Sequence, residues 1–245
     1  MYRVLFIVIG ITSTYLAITA FAHLGWFLLY MDGDGEFKTI NVIIDLGLLI
    51  FFGIQHSLMA SNPFKDRVIK LIPRHLERAI YIIISSLSLL IVIFLWKPLP
   101  KVIFLFNYPF YQIVIGLYIG GWLLSLYSLL AIDPFELFGL KQIYYFLLGK
   151  DMPPIPFTEK GIYKYVRHPI YLSTLIIFWI TPRMTFGHLL LSITWSIYVI
   201  IGATLEERRL IKEFGAQYED YKRRVPMLFP PVLRFSKNWQ KITIF

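Results

Sequence analysis

Gly161-Ile-Tyr-Lys-Tyr-Val-Arg-His-Pro-Ile-Tyr171 is where the chain passes from a polar, aromatic segment into a strongly apolar run. Proline suits the first turn of a helix, because its missing N–H would be unpaired there anyway. The spacing therefore predicts a helix starting at Pro169, with Arg167, His168 and the phenols of Tyr163 and Tyr171 gathered at its mouth. Arg and Tyr also mark membrane interfaces without doing chemistry, so what surrounds this stretch decides its meaning.

The surroundings are apolar. Of 245 residues 57% are hydrophobic and 16% charged, and the mean hydropathy is +0.64, well above a soluble domain. Six apolar segments stand out, at Tyr2–Tyr30, Ile40–Ala60, Ala79–Trp96, Phe110–Ile132, Pro169–Ile180 and Gly187–Leu205. The first four have about the 20 residues a spanning helix needs. The last two are short and separated by Thr181-Pro-Arg-Met184, which reads as a helical hairpin with its turn at the far side. The fold class expected is all-α: a polytopic membrane protein of about six helical segments, the last two a hairpin followed by a cytoplasmic amphipathic helix. Arg3 precedes a long apolar run with no small-residue cleavage site, so the first segment reads as a retained helix.

Charge sets the orientation. Of 24 Lys and Arg, 20 fall at Arg3, in the loops after segments two and four, or in the C-terminal tail. The opposite loops carry Lys38, Lys97, Lys101 and Arg183, beside the acidic Asp32-Gly-Asp-Gly-Glu36. The positive-inside rule then puts both termini in the cytoplasm, as in an inner-membrane protein of bacterial type. A net charge of +9 in such a chain reflects cytoplasmic loops, so no nucleic-acid partner is inferred, nor any obligate protein partner; the surroundings are membrane lipid. Without cysteine, disulfides and thiolate chemistry are excluded, and five scattered histidines show no metal-ligand spacing, so no metal site is expected. Neither GxGxxG, GxxxxGK[ST] nor GxSxG occurs.

Three polar regions share the cytoplasmic side: Gln55-His-Ser57, the stretch from Asp133 to His168, and the tail after Thr204. Asp151-Met-Pro-Pro-Ile-Pro156 reads as a rigid, extended connector. In the tail, Glu207, Ile211, Phe214, Tyr218 and Tyr221 form one helical stripe. The basic face beside it reads as that of a surface helix. Glu206 and Glu207 close the last apolar segment, where adjacent carboxylates tend to have a partner or a ligand. Asp45 lies about 16 Å along the second helix from His56, toward the outer face, and reads as structural.

Tyr163-x-x-Val-Arg-His-Pro-Ile-Tyr171, followed by Glu206-Glu-x-x-Leu210 and Phe214-Gly-x-x-Tyr-x-x-Tyr-x-x-Arg-Val-Pro226, resembles the isoprenylcysteine carboxyl methyltransferase and phospholipid methyltransferase superfamily. These are integral membrane enzymes that use S-adenosylmethionine. Gln55-His-Ser-Leu-Met-Ala60, Phe135-Glu-Leu-Phe-Gly-Leu-Lys-Gln142 and Phe178–Leu190 are similar to its thiol-methylating branch. Ser173 departs from the glycine common after the RHPxYL pattern. The resemblance implies one domain over 1–245, with four spanning helices in 1–132 and a cofactor-binding hairpin and cytoplasmic tail in 133–245. It implies that Tyr163, Arg167, His168, Tyr171, Glu206, Glu207, Tyr218 and Tyr221 line an S-adenosylmethionine site. The acceptor implied is a small thiol, methanethiol, giving dimethyl sulfide. A thiol is mostly protonated at neutral pH, so His56, His168 and Glu207 are candidate bases and Arg167 a candidate thiolate-stabilising cation. Rival expectations are a methyltransferase acting on an isoprenylcysteine carboxylate or a lipid amine, and a non-catalytic membrane protein or small transporter.

Overall fold

Helix dominates, as expected for a chain whose backbone polar groups must be satisfied in lipid. The computed structural model describes residues 2–33, 35–154 and 157–229. Asp34 of the acidic loop, Ile155 and Pro156 of the connector, and the tail beyond Phe229 lie outside them. The α-helices are α1 (Tyr2–Tyr30), α2 (Thr39–Ala60), α3 (Asn62–Val68), α4 (Glu77–Leu95), α5 (Phe110–Ala131), α6 (Pro134–Leu137), α7 (Leu140–Leu147), α8 (Pro169–Trp179), α9 (Phe186–Phe214) and α10 (Ala216–Arg224). Five of these, α1, α2, α4 with the turn before it, α5 and α9, are long and apolar enough to cross a membrane. The protein is an integral membrane protein.

The helices pack in a closed order. α4 lies between α1 and α2, α2 meets α9, α9 meets α8, and α8 meets α5. The Tyr118 hydroxyl of α5 donates to the Gly25 carbonyl of α1 at 2.7 Å, completing the circuit. The core inside it takes Leu24, Phe27 and Leu28 from α1, Leu49 and Phe52 from α2, and Val92 from α4, followed by Trp96. From the other side come Tyr118, Ile177, Phe178 and Leu191.

One end is tied by a buried carboxylate and a small ribbon. Strand β1 (Val102–Leu105) pairs antiparallel with β2 (Arg183–Thr185), Val102 opposite Thr185 and Leu105 opposite Arg183. Asp32 accepts from the Leu99 N–H at 2.8 Å, from the Trp96 indole at 3.4 Å and from the Thr185 hydroxyl. Asp45 is buried and accepts from the Lys97 N–H at 2.9 Å, an anchoring contact at this same end. The other end carries the short helices. Asp133 caps α6 by accepting from the Phe135 and Glu136 N–H groups, and Lys141 draws its carboxyl below the usual range. Gly139 adopts φ +84°, and a Cβ there would lie 2.6 Å from the Ala79 nitrogen, so only glycine lets α7 approach α4 this closely.

Several expected boundaries change. The last apolar segment is not short: α9 runs 29 residues through Glu206 and Glu207 to Phe214, because nothing between Leu205 and Phe214 breaks a helix. α8 has 11 residues, about 16 Å, and a 3-10 turn at Gly161–Lys164 precedes it in place of a longer helical arm. The tail stripe is broken at Gly215, whose φ of +55° turns the chain from α9 into α10. The ribbon and α3, α6 and α7 were not anticipated.

Candidate functional site

α8 and α9 run side by side in opposite directions. Phe178 pairs with Ser192 at one end, and Arg167 with Glu207 at the other. At that second end, where Pro169 starts α8, the polar residues converge. Arg167 Nε donates to Glu207 Oε1 at 2.7 Å, and Nη2 lies 2.6 Å from the same oxygen. Both side chains are almost fully buried, at 7% and 6% exposure. The other oxygen of Glu207 meets Lys222 Nζ at 3.0 Å. Arg167 Nη1 donates to the carbonyls of Lys222, at 3.0 Å, and Val225. The backbone repeats the tie, since the Arg167 and His168 N–H groups donate to the carbonyls of Pro226 and Met227 at 2.9 and 3.1 Å.

Arg167 and Glu207 thus fasten α8, α9 and the segment after α10 into one unit. A desolvated pair of this kind holds only while both charges and their further bonds are present. His168 is buried between the carboxylates, with Nε2 3.3 Å from Glu207 Oε1 and Nδ1 3.8 Å from Glu206 Oε2. Its ring stacks on Tyr171 at 5.3 Å, and the Tyr171 hydroxyl donates to Glu206 Oε2 at 2.6 Å. Glu206 differs from its neighbour: its side chain is 35% exposed.

α10 covers the cluster. The Tyr221 hydroxyl donates to the Tyr163 carbonyl at 2.6 Å, and burial pushes its pKa up to about 12. Tyr218 is 2% exposed, packs with Tyr221 against Phe157, and its buried hydroxyl has no hydrogen-bond partner among the described residues. Burial holds the Tyr163 and Tyr218 phenols well above their ordinary range.

A second polar cluster lies deeper, between α2, α4 and α9. The Tyr81 hydroxyl is 2.8 Å from His56 Nε2, and Ser85 Oγ is 3.2 Å from Nδ1. Phe52 stacks on the imidazole at 5.3 Å. Ser57 and Tyr198 share a hydroxyl hydrogen bond of 3.1 Å. Tyr198 is two turns before Glu206 on α9, about 12 Å along its axis. The His56 and Tyr198 rings are 6.4 Å apart, so α9 links the two clusters.

The eight residues expected around a cofactor all come together at one end of α8 and α9. His56 stands apart from them, one cluster deeper. Sequence reasoning missed Tyr81, Ser85, Tyr198 and Lys222. Lys222 is part of the tail motif region and a charge was visible there; Tyr81 and Ser85 follow Arg78 on an otherwise apolar helix, where isolated polar groups are the only signal.

A membrane-embedded methyltransferase is the class these comparisons give: the phospholipid methyltransferase family matches residues 112–217, a stretch that includes Arg167, His168, Glu206 and Glu207. Methanethiol S-methyltransferase of Crocosphaera subtropica is 40% identical over 190 residues, 77% of this chain and 74% of its own. Methanethiol S-methyltransferase 1 of Bradyrhizobium diazoefficiens is 43% identical over 190 residues, 77% and 67% of the two chains. Nurim of Bos taurus, whose name states no reaction, is 30% identical over 200 residues, 77% and 74%. No solved structure matches. The chain belongs to the membrane methyltransferase family that contains the methanethiol S-methyltransferases.

Proposed function

We propose that the protein transfers a methyl group from S-adenosylmethionine to methanethiol, giving dimethyl sulfide, as a single domain working at the cytoplasmic face. The observation that carries this reading is the cluster of Glu206, Tyr171 and His168 near Tyr218, whose buried hydroxyl has no hydrogen-bond partner among the described residues. Buried polar groups are normally hydrogen-bonded, so a buried phenol without a partner beside a half-open carboxylate fits a ligand that supplies one. The donor groups suit S-adenosylmethionine: carboxylate for ribose hydroxyls or an ammonium, and phenol rings for adenine and the sulfonium. In this reading Glu206, Tyr171, His168, Tyr163, Tyr218 and Tyr221 hold the cofactor, and Arg167 and Glu207 keep the pocket in shape.

Bound there, the cofactor supplies an electrophilic methyl group. The chain's own contribution is alignment and the exclusion of water. His56 is the base we assign to the acceptor thiol, because Tyr81 and Ser85 fix its ring. Glu207 is a poorer choice, since its carboxylate already neutralises Arg167 and Lys222. The concentration of Lys and Arg in one set of loops supports placing α10 and both termini on the cytoplasmic side.

The test is to give purified protein labelled S-adenosylmethionine with methanethiol, a prenylcysteine or phosphatidylethanolamine in turn. Labelled dimethyl sulfide from the first is the expected result. Product only from the prenylcysteine or the lipid would replace the acceptor, and no specific cofactor binding would remove the enzyme reading.

A further inference from the structure

His56 is the end of a column of rings. Phe52 lies against it at 5.3 Å, Trp195 against Phe52 at 5.3 Å, and Phe178 against Trp195 at 5.0 Å with the planes 8° apart. The rings come from α2, α9 and α8, so the column fills the space that these three helices enclose below His56. Its foot is pinned, because the Phe178 carbonyl accepts from Ser192 at 2.6 Å and pairs with His188 Nε2 at 2.8 Å.

The seam between α2 and α9 is closed by the same surface. Tyr198 packs over Gly53, where a Cβ would meet its ring at 3.5 Å, and it bonds to Ser57. The Trp195 and Tyr198 rings are 5.7 Å apart. An acceptor that carries a prenyl or acyl chain has to leave that chain in the bilayer while its reactive atom sits at His56. Phe52, Trp195 and Tyr198 are the rings that pack between His56 and this α2–α9 seam.

Resting on the assignment of the acceptor to His56, we propose that Trp195, closing the α2–α9 seam with Tyr198, determines acceptor specificity by admitting thiols with short alkyl chains and rejecting longer ones. Packed pockets reject one extra methylene by about 10–200-fold, and removing an indole vacates room for several.

The experiment compares kcat/KM for methanethiol, ethanethiol, butanethiol and hexanethiol in the wild type, Trp195→Phe and Trp195→Ala, each checked for folding by its melting temperature. In the wild type activity falls with each step in chain length. Trp195→Ala raises the butanethiol-to-methanethiol ratio at least about tenfold, and Trp195→Phe raises it less. The ratio is insensitive to how much of a variant is folded, and Tyr198→Ala provides a second opening should Trp195→Ala not accumulate. A proportional loss on all thiols, or a wild type that accepts hexanethiol as well as methanethiol, overturns the size filter while leaving thiol methylation intact. A wild type that makes no dimethyl sulfide sinks both.

Discussion

Glu206 and Glu207 are adjacent in sequence and opposite in burden, and substituting each by glutamine separates them. Glu207→Gln keeps the side chain's shape but leaves Arg167 as a buried cation without its anion. Breaking a buried pair from one side costs about 3–5 kcal/mol. Arg167 retains the carbonyls of Lys222 and Val225, and Lys222, 44% exposed, can turn to water, so the lower figure of about 3 kcal/mol applies. In a chain of this size that lowers Tm by about 6–12 °C. Glu206→Gln affects a side chain that is 35% exposed and bonded to one phenol. Its cost is about 1 kcal/mol or less, under about 4 °C. Cofactor affinity reverses the order of selectivity: Glu206→Gln weakens S-adenosylmethionine binding about 10–100-fold, the worth of a charged hydrogen bond, in a protein that still melts normally. Melting in detergent and calorimetric titration with S-adenosylmethionine measure the two effects. A Glu207→Gln protein that melts with the wild type, or a Glu206→Gln protein as destabilised as Glu207→Gln, would refute this division of labour.

Tyr218→Phe removes a hydroxyl that has no hydrogen-bond partner among the described residues; Tm should hold while the KM for S-adenosylmethionine rises, and an unchanged KM counts against a ligand contact there. Asp32→Ala leaves three donors unpaired at the ribbon end, costing at least about 2 kcal/mol, so Tm falls although the KM values of the folded fraction stay put. Asp133→Ala removes the cap of α6 and costs about 0.5–2 kcal/mol. Because Lys141 lowers the folded-state pKa of Asp133, its contribution is present above the carboxyl's unfolded value, about 3.9, and disappears as pH falls through the folded one; the Tm gap from wild type should hold from pH 7 to about 4 and narrow only below that. Single cysteines placed at Lys38 and Lys150 in this cysteine-free chain test orientation: an impermeant thiol reagent added to intact cells should label only the first.

Where polar residues stand out against an apolar background, the sequence was legible. Arg167-His168-Pro169 and Glu206-Glu207 flag themselves that way, and the structure brings both groups to one end of α8 and α9. The segments at 2–30 and 110–132 were equally plain, since runs of about 20 apolar residues admit few other readings. The break at Gly215 was hidden because the apolar stripe continues across it, and a single glycine does not announce its φ. Asp32 was hidden differently: Asp32-Gly-Asp-Gly-Glu36 looks like a solvated loop, yet one of its carboxylates is buried under the ribbon. Tyr81 and His56 are 25 residues apart, and only the packing of α4 on α2 makes them partners.

The carbonyls of Pro226 and Met227 that accept from Arg167 and His168 also impose an order of assembly. Synthesis at about 5–20 residues per second reaches them about 3–12 s after His168 has been made. Until then the guanidinium of Arg167 also lacks both of its carbonyl acceptors, those of Lys222 and Val225. The site therefore closes last, with the segment after α10 acting as its latch.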